Sequence, residues 1–255
     1  MNGWGRAVLG ICLVTLAQAN AWADDEPLFE TLKQKARSDA FAIGALLQVV
    51  GDYAEDRTDD ANNGFSLANV RLNVRGNLDG QIRYFVQASF LKSPAVLDAA
   101  MTYQPTIAWG AKAGAFKAPF SAEFLVPASG IDFVNRSQAV TLLVPGRQIG
   151  AQVQGTFQGR RLGYAVGVFN GNGLDPAGND NNDLMTAGRL VYSLQDSGRE
   201  GVTTVAISGA HSVDADAPIG FPIGGTALVE GFSGERVLAG ADLRVERGPW
   251  LVALE

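Results

Sequence analysis

The stretch "RLNVRGNLDGQIRYFVQ", residues 71–87, limits what this chain can fold into more than any other. Arg71, Arg75 and Arg83 stand at odd positions, while Leu72, Val74, Ile82, Tyr84 and Val86 stand at even ones. Successive side chains of a strand point to opposite faces of a sheet. A period of two therefore puts guanidinium groups on one face and hydrocarbon on the other. "NLDG" at 77–80 is a turn whose glycine can supply a positive φ, so the segment reads as a hairpin. A soluble sheet could use this pattern once, and the rest of the chain decides whether it is more than that.

The pattern recurs. On 148–157, Ile149, Ala151, Val153 and Phe157 oppose Gln148, Gln152, Gln154 and Thr156, and on 235–246, Val237, Ala239, Ala241, Leu243 and Val245 oppose Arg236, Asp242, Arg244 and Glu246. The same reading gives strands near 41–53, 66–76, 81–90, 96–103, 107–116, 162–170, 184–192, 202–210 and 249–255. That is about eleven strands, most of roughly the length a tilted strand needs to cross a bilayer. Short links ("NLDG", "QPT", "QGRR", "LQDSGRE", "RGP") alternate with longer ones at 54–64, 91–95, 117–147, 171–183 and 211–234. Membrane barrels sort their loops by end in this way. Phe41, Tyr84, Tyr103, Trp109, Phe157, Tyr164, Tyr192 and Trp250 fall on the apolar parity near the short-link end, as an aromatic girdle at a membrane interface requires. Phe65 and Phe169 have the opposite parity. The expected fold is all-β, an antiparallel transmembrane β-barrel. Its apolar face meets outer-membrane lipid and its arginines surround water.

The segments "RLNVRGNLDGQIRYFVQASF", "VLDAAMTYQP", "GAKAGAFKAPFSAEFL", "FVNRSQAVTLLVPGRQIGAQVQG" and "YAVGVFNGNG" carry a resemblance in their content and order. They resemble the phosphate-selective porin O and P family of Gram-negative outer membranes. The resemblance implies a barrel of about sixteen strands, a homotrimer, and a long third loop folded inward to narrow the pore. It also implies passive diffusion of small hydrophilic solutes with a preference for anions. The inward loop would be 117–147, with Lys117, Glu123, Asp132, Arg136 and Arg147 as its charged residues. Anion-selective members place lysines in this loop. Here the stretch from Ala118 to Gly146 has no lysine, and Arg136 is its one base. The chain ends at "GPWLVALE", inside a strand, so the barrel is expected to be incomplete.

Parity sorts the charges. Arg71, Arg75, Arg83, Lys112, Arg189, Arg236 and Arg244 fall on the lumen face, with Asp52, Asp98, Asp242 and Glu246 as the acids there. The formal charge of −6 thus hides an interior that leans positive, which would raise the local anion concentration. Some of these arginines can pair with Asp98 or Asp242 across strands. Lys117 either points toward the constriction or snorkels to the interface. Arg136 and Arg147 either tie the loop to the wall or meet a solute.

The remaining features bound the alternatives. Residues 1–23 read as a signal peptide, with Arg6, an apolar run and an Ala21-Trp22-Ala23 cleavage site. Residues 24–38 would be a short periplasmic segment, and 39–255 the barrel. Cys12, the only cysteine, lies in the signal, and His211 is the only histidine, in an expected loop. No cofactor, metal site or enzymatic motif is expected, and no basic tract points to nucleic acid. The second reading is a non-conducting barrel that acts as an adhesin or scaffold.

Overall fold

A computed structural model of the chain describes residues 37–38, 41–53, 63–91, 93–133, 135–195, 201–219 and 229–255. The expected signal peptide and the loop at 54–62 lie outside them. Eleven strands stand where alternation places them, and a two-residue strand precedes them. They are β1 (Arg37–Ser38), β2 (Phe41–Asp52), β3 (Gly64–Asp79), β4 (Ile82–Ser89), β5 (Ala95–Tyr103) and β6 (Gly110–Lys117). After the longest connection come β7 (Arg147–Phe157), β8 (Leu162–Phe169), β9 (Met185–Gln195), β10 (Gly201–Ile219), β11 (Val229–Arg247) and β12 (Trp250–Leu254). Arg37 and Ser38 pair with Ala42 and Phe41, so the sheet begins inside the span expected to be a separate periplasmic segment.

Every strand pairs antiparallel with its sequence neighbour in one sheet that runs in order from β1 to β12. The two end strands form its edges, so the barrel wall is open among the described residues. The β3–β4 turn follows its sequence: Gly80 takes φ 40°, and Asp79 Oδ1 accepts from the N–H groups of Gln81 and Ile82 at 3.3 and 3.2 Å.

The sheet is apolar outside and polar inside. Ile207 is 61% exposed while its neighbour Ser208 is 8%, and Val153 is 45% exposed while Gln152 is 8%. Gln48, Asp98, Gln148, Arg189, Asp214 and Asp242 are all buried, whereas Ile43, Leu72, Val86, Val166 and Val237 are not. Water is the wrong solvent for that outer face. Moving each such aliphatic side chain from water to hydrocarbon is favourable by about 1.5–3 kcal/mol, and the paired backbone makes the transfer tolerable.

Several expectations are corrected. Alternation put Phe65 on the inner parity, but it is 88% exposed. A bulge explains this. Gln48 pairs with Asn69 and Val49 with Leu67, so Ala68 is the extra residue and every β3 side chain before it changes face. The expected loop at 211–234 is largely strand, because β10 and β11 extend into a long hairpin. His211 accordingly lies in β10, with Nε2 2.9 Å from Glu235 Oε1, and not in a loop. The sorting of link lengths is also weaker than expected, since the β4–β5 link, 90–94, is shorter than the β5–β6 link, 104–109. Trp109 sits in that second link and not on a strand.

Candidate functional site: the inner face and the segment that crosses it

Residues 118–146 leave the end of β6, cross the concave face of the sheet and return to β7, where Lys117 pairs with Arg147 in the ladder. Ser121, at φ 63°, turns the chain sharply, and its hydroxyl accepts from Phe124 N–H at 3.0 Å to cap a short helix, Ala122–Leu125. A second helix, Gln138–Leu143, is capped by the Ser137 hydroxyl on Val140 N–H. Glu123 joins the two, accepting from Ser137 N–H at 2.7 Å.

The end of the first helix exposes carbonyls that need donors. Lys117 Nζ donates to the carbonyls of Phe124 and Val126 at 2.5 and 2.9 Å. Arg136 donates to those of Glu123 and Val126 at 3.2 and 2.6 Å. Lys117 therefore neither snorkels nor stands free over the pore; it closes a helix terminus, where a cation is favoured. Burial, then the nearby Arg147 guanidinium, lowers the pKa of Arg136, and Glu123 opposes them.

The crossing segment is tied at both ends. At its root, Arg147 forms an ion pair with Asp98 of β5 at 3.0 Å. At its far side, Asp132 accepts from Arg244 of β11 at 2.9 Å. Phe120 reaches β11 as well. A Cβ at Gly240 would lie 3.2 Å from its ring, so any larger residue would require the ring to shift by a few tenths of an ångström. The cluster beneath is apolar although it lies on the inner face: Ala118 and Phe120 pack with Ala100, Phe116, Phe169, Met185, Ala187 and Ala210. Phe116 and Phe169 meet edge to face at 5.6 Å. The sequence reading had only the wrong parity of Phe169 as a sign of this cluster. Large aromatics on the wet parity mark the place where a segment docks from inside.

The inner-face cations divide into two sets. Arg189 makes a two-point pair with Asp242, at 2.5 and 2.9 Å, and a third bond to Ser208. Arg236 pairs with Asp214 at 2.7 Å, and Arg244 with Glu246 as well as Asp132. On the other side Arg75, Arg83 and Lys112 line one cavity of about 500 Å³, and Arg83, Lys112, Lys117 and Arg189 line another of about 850 Å³. Arg75, Arg83 and Lys112 have no ion pair among the described residues. Lys112 Nζ lies 4.2 Å from the centre of the Phe116 ring. Arg71 makes a single long bond, from Nη1 to Gln87 at 3.4 Å.

The aromatic residues expected to form a girdle gather at the short-turn end. Tyr103 meets Trp109 edge to face at 5.9 Å, and Phe157 stacks on Tyr164 at 5.4 Å. The Tyr164 hydroxyl donates to the Ala108 carbonyl at 3.0 Å. Tyr192 pairs across the ladder with Leu162, beside Phe157. Phe41 opens β2, Tyr84 is the third residue of β4, and Trp250 opens β12 opposite Arg247.

An antiparallel meander with hydrocarbon outside, charge inside and a segment folded across its concave face is the wall of a transmembrane β-barrel. The description of the phosphate-selective porin O and P family matches residues 46–197, and the chain belongs to that family. Among solved structures, OprB of Pseudomonas putida, determined at high pH, is similar in fold with a TM-score of 0.61 and 13% sequence identity. The match covers 89% of this chain and 66% of that one. No curated protein sequence matches the chain.

Proposed function

We propose that this protein forms a water-filled pore in the outer membrane of a Gram-negative bacterium and lets small hydrophilic solutes diffuse through, anions in preference to cations. Family membership supports the pore. One observation carries the preference: Arg75, Arg83 and Lys112 share inner-face cavities without a carboxylate partner among the described residues. Fixed, unneutralised charge in a narrow aqueous path sets which ions accumulate there. The paired arginines of β9–β11 add little to that field. Outer-membrane lipid covers the apolar face, and the aromatic residues of the short-turn end settle at its boundary. The family resemblance favours a homotrimer. Lys117 and Arg136, the bases at the first helix of the crossing segment, are occupied by backbone carbonyls. The selectivity is therefore for small anions broadly and not for phosphate alone.

Reversal potentials across a planar bilayer under a potassium chloride gradient test this reading. The expected sign is anion-favouring. A cation-favouring sign rejects the preference, and the absence of conductance leaves the adhesin or scaffold reading.

A further inference from the structure

The outer face of the wall is not evenly filled. Where β6 crosses it, the outward residues are Ala111 and Ala113, and Ala151 of β7 stands beside Ala113 in the ladder. Larger side chains rise on both sides. Tyr103 and Met101 of β5 pair with Ala111 and Ala113, and Val166 and Val168 of β8 lie across β7. Between these ridges runs a groove of about 560 Å³, with Lys112, Gln152 and Gly167 of the opposite parity beneath it. A groove left empty forfeits the dispersion contacts of its lining. In a bilayer, hydrocarbon is what fills it.

The depth of the groove fits one leaflet. Along β8, Val166 stands five residues from Arg161, which closes the β7–β8 turn. That is roughly 17 Å of strand at ~3.4 Å per residue. At a tilt of about 40° it becomes about 13 Å of depth, close to half of a ~30 Å hydrocarbon core. The stacked rings of Phe157 and Tyr164 stand between the two levels.

The turn above the groove carries the charge. Arg160 and Arg161 are exposed and have no ion pair among the described residues. The neighbouring β5–β6 link, 104–109, holds no charged residue of either sign. Two cations without a counter-charge therefore stand at the height of the headgroups, on the same strands as the groove. We propose that this face binds an anionic phospholipid of the leaflet at the short-turn end, with an acyl chain in the groove and the phosphate at Arg160 and Arg161. Guanidinium groups suit phosphate oxygens, and basic residues at a membrane surface favour anionic lipid. The inference rests on the membrane-wall reading of the sheet and not on conduction.

The test uses the full chain in phosphatidylcholine vesicles. Phosphatidylglycerol brominated on its acyl chains is the probe, and brominated phosphatidylcholine is the comparison. Trp109 meets Tyr103 on the rim of the groove, so quenching of the fluorescence that Trp109→Phe abolishes reports lipid there. Phosphatidylglycerol should quench at a mole fraction about tenfold lower than phosphatidylcholine does. Arg160→Gln combined with Arg161→Gln should bring that ratio near one. Ala113→Leu fills the groove at an exposed position and leaves the turn untouched; it should weaken quenching by both lipids. Equal quenching of the unaltered chain by the two lipids, a preference that survives loss of both arginines, or no effect of Ala113→Leu each overturns the proposal. Conductance in planar bilayers separates the readings. A chain that prefers phosphatidylglycerol without conducting keeps the site and loses the pore, and one that conducts without the preference loses the site alone.

Discussion

The two halves of the inner wall carry the same kind of residue and use it in opposite ways. On β9–β11, Arg189, Arg236 and Arg244 each have a carboxylate within 3 Å. On β3–β6, Arg75, Arg83 and Lys112 have none among the described residues, and the one buried acid of that half, Asp98, is taken by Arg147. Burial accounts for the clearest members of each set. Arg189 is 8% exposed, and a guanidinium removed from water needs a counter-charge to remain there. Arg75 and Arg83 are exposed to the interior and keep their hydration. The first set holds the wall together and anchors the crossing segment. The second leaves a net positive charge on the inner face.

The largest effect should come from breaking the buried side of that comparison. Asp242→Ala leaves Arg189 with its charge intact and its two-point partner gone. The expected loss is about 3–5 kcal/mol of stability, read by tryptophan fluorescence in urea titrations of the protein in lipid vesicles. Arg75→Ala in the other half should change stability by less than about 0.5 kcal/mol. Replacing both members, Arg189→Leu with Asp242→Leu, should recover most of the loss, because two hydrocarbons need no compensation. If the two single variants lose equally, the wall is not divided as described.

The division was only half legible in the sequence. Period-two alternation found every long strand and put Arg71, Arg75, Arg83, Lys112, Arg189, Arg236 and Arg244 on one face, because parity is a local property. It could not tell paired from unpaired cations. Asp98 and Asp242 stand on the right parity, but Asp214 falls in the expected loop at 211–234, so parity does not offer it as the partner of Arg236. Parity also breaks at bulges: the residue skipped at Ala68 turned Phe65 outward, and nothing in the run 64–76 announces that insertion. The crossing segment was found from its length and from family resemblance, but not its attachments. Contacts such as Asp132 with Arg244 join residues too far apart in the chain for any local pattern to record.

The second effect is on selectivity. Arg83→Glu combined with Lys112→Glu puts negative charge where the two cavities meet. Charges a few ångströms from an ion in water-like surroundings interact by on the order of 1 kcal/mol each. The reversal potential should then change sign and favour cations. The same charge reversal at Arg236, which Asp214 already neutralises, should move the potential less, and high salt should shrink both effects. Equal shifts from the two halves would show that pairing does not decide which arginines a solute meets.

The smallest effect belongs to the tie between the halves. Asp132 and Arg244 are each about a third exposed, at 40% and 35% for their side chains, so their attraction is screened and worth under about 1 kcal/mol. Asp132→Asn should barely move the unfolding midpoint. Its consequence is positional. The root of the crossing segment stays fixed by Arg147 on Asp98 and by Lys117 on the helix carbonyls, while the far side keeps the contact of Phe120 with Gly240 and the bond from Glu123 N–H to Glu255. A segment held firmly at one end and loosely at the other fluctuates more, and in a pore that appears as added open-channel noise at unchanged mean selectivity. Asp98→Asn loosens the root instead and should raise noise more, because its partner Arg147 lies in a drier place. If Asp132→Asn is silent in noise while Asp98→Asn is not, the β11 attachment is incidental and the segment is held from the β5–β7 side alone.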